Sequence, residues 1–150
     1  GNSILGGGIY SGVALTINNS IIAYNNSTTA SGGGIYVWAE PLTLINTSIH
    51  SNIGGGIYTT SGTSNPPIVL IQNSTVSKNQ GTGVAAGFVT IINSTISDNK
   101  GRGVVADQQN NTSFLKNSII AGNVTSMAGP DCRNLGVRIS AWAGLGRVCA

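Results

Sequence analysis

NSTVSKN, residues 73–79, returns twenty residues later as NSTISDN, residues 93–99. The same phrase is visible upstream as NSIIAYN from Asn19 and NTSIHSN from Asn46, and downstream as NSIIAGN from Asn117. The leading Asn residues are 27, 27, 20 and 24 residues apart. A second phrase, GGGIY or a relic of it, is centred on Ile9, Ile35, Ile57, Val84 and Val104. It follows the closing Asn by five residues in three of four cases; between Asn25 and Ile35 the extra Ser, Thr and Gly residues fit a loop insertion. A fixed local phrase at unequal intervals is the mark of a solenoid, in which loops vary in length while strands hold register.

Aligning the phrases on the leading Asn shows the strands. Two residues before it stand Ile17, Leu44, Ile71, Ile91 and Leu115; four before it, Leu15, Leu42, Val69, Val89 and Ser113. Three after it stand Ile22, Ile49, Val76, Ile96 and Ile120. Apolar and polar positions alternate on each side, which is strand periodicity, and the phase changes at the Asn, so the Asn marks a bend. One such coil cannot bury its inward side chains. Stacked coils can, at about 4.8 Å per rung, so five rungs make a rod roughly 25 Å long. The GGGIY phrase supplies a third strand. The expected fold is all-β, a right-handed parallel β-helix (solenoid) of about five coils with three short strands per coil. Residues 1–123 hold the repeats, and residues 124–150 form a C-terminal cysteine-bearing cap or docking segment.

The columns also assign roles. The leading Asn19, Asn46, Asn73, Asn93 and Asn117 tolerate the left-handed backbone of a sharp bend and can pass amide hydrogen bonds from rung to rung. A second Asn column is formed by Asn25, Asn52, Asn79, Asn99 and Asn123. In the third strand Ile35 and Val37 point inward, which turns Tyr36 and Trp38 outward. Tyr10, Tyr36 and Tyr58 then make an exposed aromatic stripe beside Trp38, and it stops where Ala85 and Val105 take the position.

Composition narrows the function classes. Only 7% of the 150 residues are charged, and the net charge of +3 comes from scattered Lys and Arg. With no basic run and no basic–aromatic interleaving, nucleic-acid binding is not expected. No stretch is long enough to span a membrane. The opening GNSILGGGIY lacks the features of a signal peptide, so the chain reads as a mature or trimmed segment with a secretion signal upstream. The two cysteines, Cys132 and Cys149, lie near the C-terminus. A disulfide between them suits an extracellular setting; two buried thiols is the other reading. Of nine Asn-x-Ser/Thr sequons, those at Asn46, Asn73 and Asn93 belong to the repeat itself, while Asn26 and Asn111 fall in expected loops open to glycosylation.

The GGGIY and N-S-x-I-x-x-N phrases together resemble bacterial right-handed parallel β-helix repeat proteins. They are similar to the GGAI and FxxN repeats of polymorphic outer membrane proteins, with Ile or Val in place of Phe. NSIIAGNVTSMAGPDC, residues 117–132, resembles secreted proteins of the choice-of-anchor Q type, which often carry a second Cys nearby; Cys149 would be that residue. The resemblance implies a surface-exposed or secreted protein, often an adhesin. The last segment, NLGVRISAWAGLGRVCA, departs from the pattern and shows no further repeat.

Parallel β-helices also include polysaccharide lyases and hydrolases, whose chemistry needs clustered carboxylates, often with Ca²⁺ or a catalytic base. The acids here are Glu40, Asp98, Asp107 and Asp131, and nothing in the repeat pairs them. His50 is the one histidine and faces outward. No phosphate loop or metal-binding repeat is present. The chain is therefore expected to be a non-catalytic scaffold or adhesin-like module with no metal, no cofactor and no catalytic residue. Its expected partners are surface glycans, surface proteins or other copies of itself. The alternatives are an extracellular filament subunit that stacks end to end and a polysaccharide-active enzyme.

Overall fold

In a computed structural model the structure describes residues 1–29, 31–60, 68–106, 113–124, 131–133 and 138–139. Three parallel sheets run along the rod. Sheet 1 stacks Ile9–Ser11, Ile35–Val37, Ile57–Thr59, Val84–Ala86, Val104–Ala106 and Cys132–Arg133. Sheet 2 stacks Leu15–Asn18, Leu42–Ile45, Ile68–Gln72, Phe88–Ile92, Phe114–Lys116 and Arg138–Ile139. Sheet 3 stacks Ile21–Ala23, Ser48–His50, Thr75–Ser77, Thr95–Ser97 and Ile119–Ala121. The chain visits the sheets in the order 1, 2, 3 and then starts the next rung. The expected all-β solenoid of three short strands per coil is thus the observed architecture.

Register follows the repeat. Val69 pairs with Leu42 and Val89, and Ile71 with Leu44 and Ile91. Val76 pairs with Ile49 and Ile96, while Ile57 pairs with Ile35 and Val84. Each pairing stacks one inward side chain on its counterpart, so Leu42, Leu44, Ile49, Ile71, Ile91 and Ile96 are fully buried. Removing such columns from water is the main stabilising term, at about 25 cal/mol per Å² of apolar surface. A one-residue slip would turn every column outward, which is why the alternation fixes the register.

The bend between sheets 2 and 3 is a single left-handed residue. Asn19, Asn46, Asn73, Asn93 and Asn117 all have φ close to +50°. A second left-handed column follows sheet 3, at Tyr24, Ser51, Lys78, Asp98 and Gly122. The corner from sheet 3 back to sheet 1 is crowded. A Cβ on Gly83 would stand 2.7 Å from Gly103 O and 2.8 Å from Asn99 Nδ2, so the backbone there admits only glycine without a shift. In the expected insertion after Asn25, the strand Asn26–Ser27 pairs with Asn2–Ser3 as a separate two-stranded sheet. Asn26 is therefore half-buried in a strand rather than in a loop. Within the final segment, Cys132–Arg133 and Arg138–Ile139 extend sheets 1 and 2 by one strand each. The last segment lacks the repeat's residues but keeps its register.

Candidate functional site

The aromatic stripe lies on the outer face of sheet 1. Parallel register places Tyr36 between Tyr10 and Tyr58. The rings stack face to face: Tyr10 and Tyr36 at 5.5 Å between centroids and 8° between planes, Tyr36 and Tyr58 at 5.4 Å and 18°. This corrects the expectation of an open ladder. Tyr36 is only 4% exposed, because its neighbours cover both faces of its ring. Burial, with the neighbouring phenols of Tyr58 and then Tyr10 adding to it, holds the Tyr36 hydroxyl above its ordinary pKa of 10.0. Tyr10 keeps one open face and is 55% exposed. Trp38 stands one residue beyond the strand, where its main-chain N–H donates to Ser11 O at 2.8 Å, and the residue is 55% exposed. The aromatic surface that a ligand can reach is thus Trp38, the outer face of Tyr10 and the phenol edges.

The two Asn columns differ in kind. The leading column is exposed, and its amides form a discontinuous chain: Asn46 Nδ2 donates to Asn19 Oδ1 at 3.1 Å, Asn93 to Asn73 at 3.2 Å and Asn117 to Asn93 at 3.2 Å. Beside it the hydroxyls of Thr47, Ser74 and Ser94 accept or donate at the bend; Thr47 N–H donates to Ser74 Oγ and Ser74 N–H to Ser94 Oγ. A shallow open groove runs here, lined by Asn19, Ser20, Ile21, Asn46, Thr47, Ser48, Asn73 and Thr75. The second column is the continuous one. Asn25, Asn52, Asn79 and Asn99 each send both the main-chain N–H and Nδ2 to the Oδ1 of the next Asn, at 2.8–3.1 Å. Asn52, Asn79 and Asn99 are buried. Their Nδ2 groups also donate to Ile22 O, Ile49 O and Val76 O one rung back.

Three of the four acids fall within the described residues. Glu40 follows the second strand of sheet 1, and Asp98 is exposed at the left-handed corner after sheet 3. Asp107 lies outside the described residues. Asp131 is buried and accepts the Asn123 N–H at 2.8 Å, a structural role that the repeat did not signal because this Asp falls where the phrase has decayed. His50 is half-buried on the outer face of sheet 3, edge-on to Tyr24 at 5.7 Å and 3.2 Å from Ser51 Oγ. Among the described residues no three His, Cys, Asp or Glu side chains come together as metal ligands. Cys132 is buried in the inward column of sheet 1 below Val104; the expected bond to Cys149 falls outside the described residues. Among the described residues no helix is long and apolar enough to cross a membrane.

Comparison with known proteins agrees with this architecture. Residues 33–141 match the family model described as a right-handed β-helix region. No curated protein and no solved structure matches the chain.

Proposed function

The chain belongs to the right-handed β-helix family, and from that premise we propose that it is a non-catalytic scaffold module of a secreted or cell-surface protein. In this reading its outer aromatic patch contacts surface glycans or proteins. The observation that carries it is Trp38, a large aromatic residue 55% exposed one residue beyond the strand that bears Tyr36 of the Tyr10–Tyr36–Tyr58 stack. A half-exposed indole on a fixed backbone offers large contact area at small entropic cost, with an N–H left to bond a hydroxyl or carbonyl. Because the tyrosine faces cover one another, a ligand would meet Trp38 and Tyr10 first.

The same fold serves polysaccharide-active enzymes, so the test has two arms. A glycan array and a surface-protein panel, probed with the wild type and with Trp38→Ala, read the binding arm; the expected result is binding that Trp38→Ala weakens about tenfold or more. A polysaccharide panel reads the enzyme arm. Cleavage that is lost in Asp98→Asn would replace the scaffold reading with the catalytic one.

A further inference from the structure

We propose that the open groove over the bend between sheets 2 and 3 is a binding site for a neutral saccharide. The amides of the exposed Asn column bond from rung to rung except at one step. Asn46 Nδ2 donates to Asn19 Oδ1 and Asn93 Nδ2 to Asn73 Oδ1, but Asn73 Nδ2 and Asn46 Oδ1 make no hydrogen bond among the described residues. The break lies in the groove, since both of these Asn residues line it. It falls between two inner rungs, and main-chain pairing is intact across it: the Asn46 N–H donates to Gln72 O at 3.1 Å. The hydroxyls divide in the same way. Thr47 and Ser74 direct theirs to the main chain, at Ile45 O and Gln72 O. Ser48 and Thr75 are paired neighbours on the outer face of sheet 3, and their hydroxyls have no partner among the described residues.

Two adjacent rungs thus present an amide donor, an amide acceptor and two hydroxyls to one groove. Its volume, about 440 Å³, lies within the roughly 300–1,000 Å³ of small-ligand sites. None of its lining residues is charged, so an ionic ligand would find no counter-charge among them. A hydroxyl both donates and accepts, so a single one satisfies Asn46 Oδ1 and Asn73 Nδ2 together. Rungs repeat at about 4.8 Å, a span that one oxygen bridges with two bonds of about 2.8 Å each. A water bridges one such pair. A sugar ring holds several hydroxyls in fixed relation and meets the two amides and the hydroxyls of Ser48 and Thr75 at once. Exposed Ile21 lines the groove in register with Ser48 and offers an apolar contact to the C–H face of the ring. The strands and bends hold these groups in place before a ligand arrives, which keeps the ordering cost of binding small.

The groove and Trp38 belong to different sheets, so this inference stands apart from binding at the aromatic patch. Calorimetric titration of the whole chain with hexasaccharides of glucose, mannose and xylose, and with a uronic acid hexasaccharide as the charged comparison, tests it. The expected result is saturable binding of a neutral probe and weaker binding of the uronate. Asn73→Gly keeps the bend and removes the free amide donor; Thr75→Val keeps the shape and removes a free hydroxyl. Each is expected to weaken the neutral probe about fivefold or more, while Trp38→Ala leaves it unchanged. Matched thermal melts show that the variants are folded. The proposal is overturned if no neutral probe binds, if the uronate binds as tightly, or if both groove variants bind like the wild type. Loss in Trp38→Ala with both groove variants intact would place the saccharide on the aromatic patch instead.

Discussion

Asn123 donates its main-chain N–H to Asp131 Oδ1 at 2.8 Å, and both residues are buried. That bond ends the internal amide ladder. Every earlier Asn passes its N–H to the amide oxygen of the next rung, and at the fifth the acceptor becomes a carboxylate. At the other end the Gly1 nitrogen donates to Asn25 Oδ1 at 2.7 Å. A ladder of aligned amides leaves a donor at one end and an acceptor at the other, and a carboxylate is the stronger partner for the donor.

Asp131→Ala leaves the buried Asn123 N–H unpaired. The expected cost is about 1–3 kcal/mol in urea unfolding. Asp131→Asn keeps an acceptor oxygen and should lose less than half as much. Equal losses from the two substitutions would mean that the carboxyl acts by something other than accepting this bond.

The two Asn columns should respond to the same substitution very differently. Asn79→Ala deletes the acceptor for the Asn52 N–H and Nδ2 and removes the Nδ2 bonds to Ile49 O and Asn99 Oδ1, all in the interior, while the main-chain N–H of residue 79 still reaches Asn99 Oδ1. The orphaned Asn52 N–H and the three other lost buried amide bonds place its cost at about 3–5 kcal/mol. Asn73→Gly, on the exposed bend at φ +50°, keeps the backbone conformation and loses one solvated amide contact, so a change within about 0.5 kcal/mol is expected. Chemical denaturation of the pair measures the contrast.

Which Asn column is the structural one was not legible in the sequence. Both columns recur with equal regularity, and each sits at a phase change in the alternation. The inward columns were legible because period-two apolar spacing has one burial solution, as Leu44, Ile71 and Ile91 show. The covering of Tyr36 was not, because alternation gives the face of a sheet but not the tilt of a ring. The sixth strands at Cys132–Arg133 and Arg138–Ile139 were hidden because main-chain pairing demands no particular side chain.

Lys78 has φ +54° at the corner after sheet 3, in a column that also holds Gly122. A non-glycine residue there carries a cost of about 1–2 kcal/mol. Lys78→Gly relieves it, less the added entropy of the unfolded chain, for a net gain of about 0.5–1 kcal/mol. Ser77→Gly, inside the strand one residue earlier, should instead lose about 0.5–1 kcal/mol. Opposite shifts in the unfolding midpoint for adjacent glycines would locate the strain in the bend.

Thr59 is 4% exposed, and its hydroxyl has no hydrogen-bond partner among the described residues. It points inward in register with Val37, so the neighbouring rung already holds the apolar residue of the same shape. Thr59→Val removes an unsatisfied buried hydroxyl without changing volume and should stabilise the rod by about 1 kcal/mol. A lower unfolding midpoint for Thr59→Val would show that the hydroxyl is satisfied in solution.

The Tyr36 phenol makes stability depend on pH at the alkaline end. Its pKa is raised in the folded chain, by burial first and then by Tyr58 and Tyr10, above the ordinary 10.0 that it regains on unfolding. Between those two values the folded state binds more protons than the unfolded state, so stability falls as pH rises through that window. Below it the contribution is intact and flat. Unfolding free energy measured by denaturant from neutral pH to above 10.0 should therefore bend downward at the alkaline end. Tyr36→Phe removes this contribution to the slope, at the cost of one hydroxyl and with the ring stack kept. In an absorbance titration of the phenolates, the wild type should show a late-ionising tyrosine that the variant lacks. If Tyr36→Phe leaves both the alkaline slope and the late phase unchanged, the ring is not covered on both faces in solution.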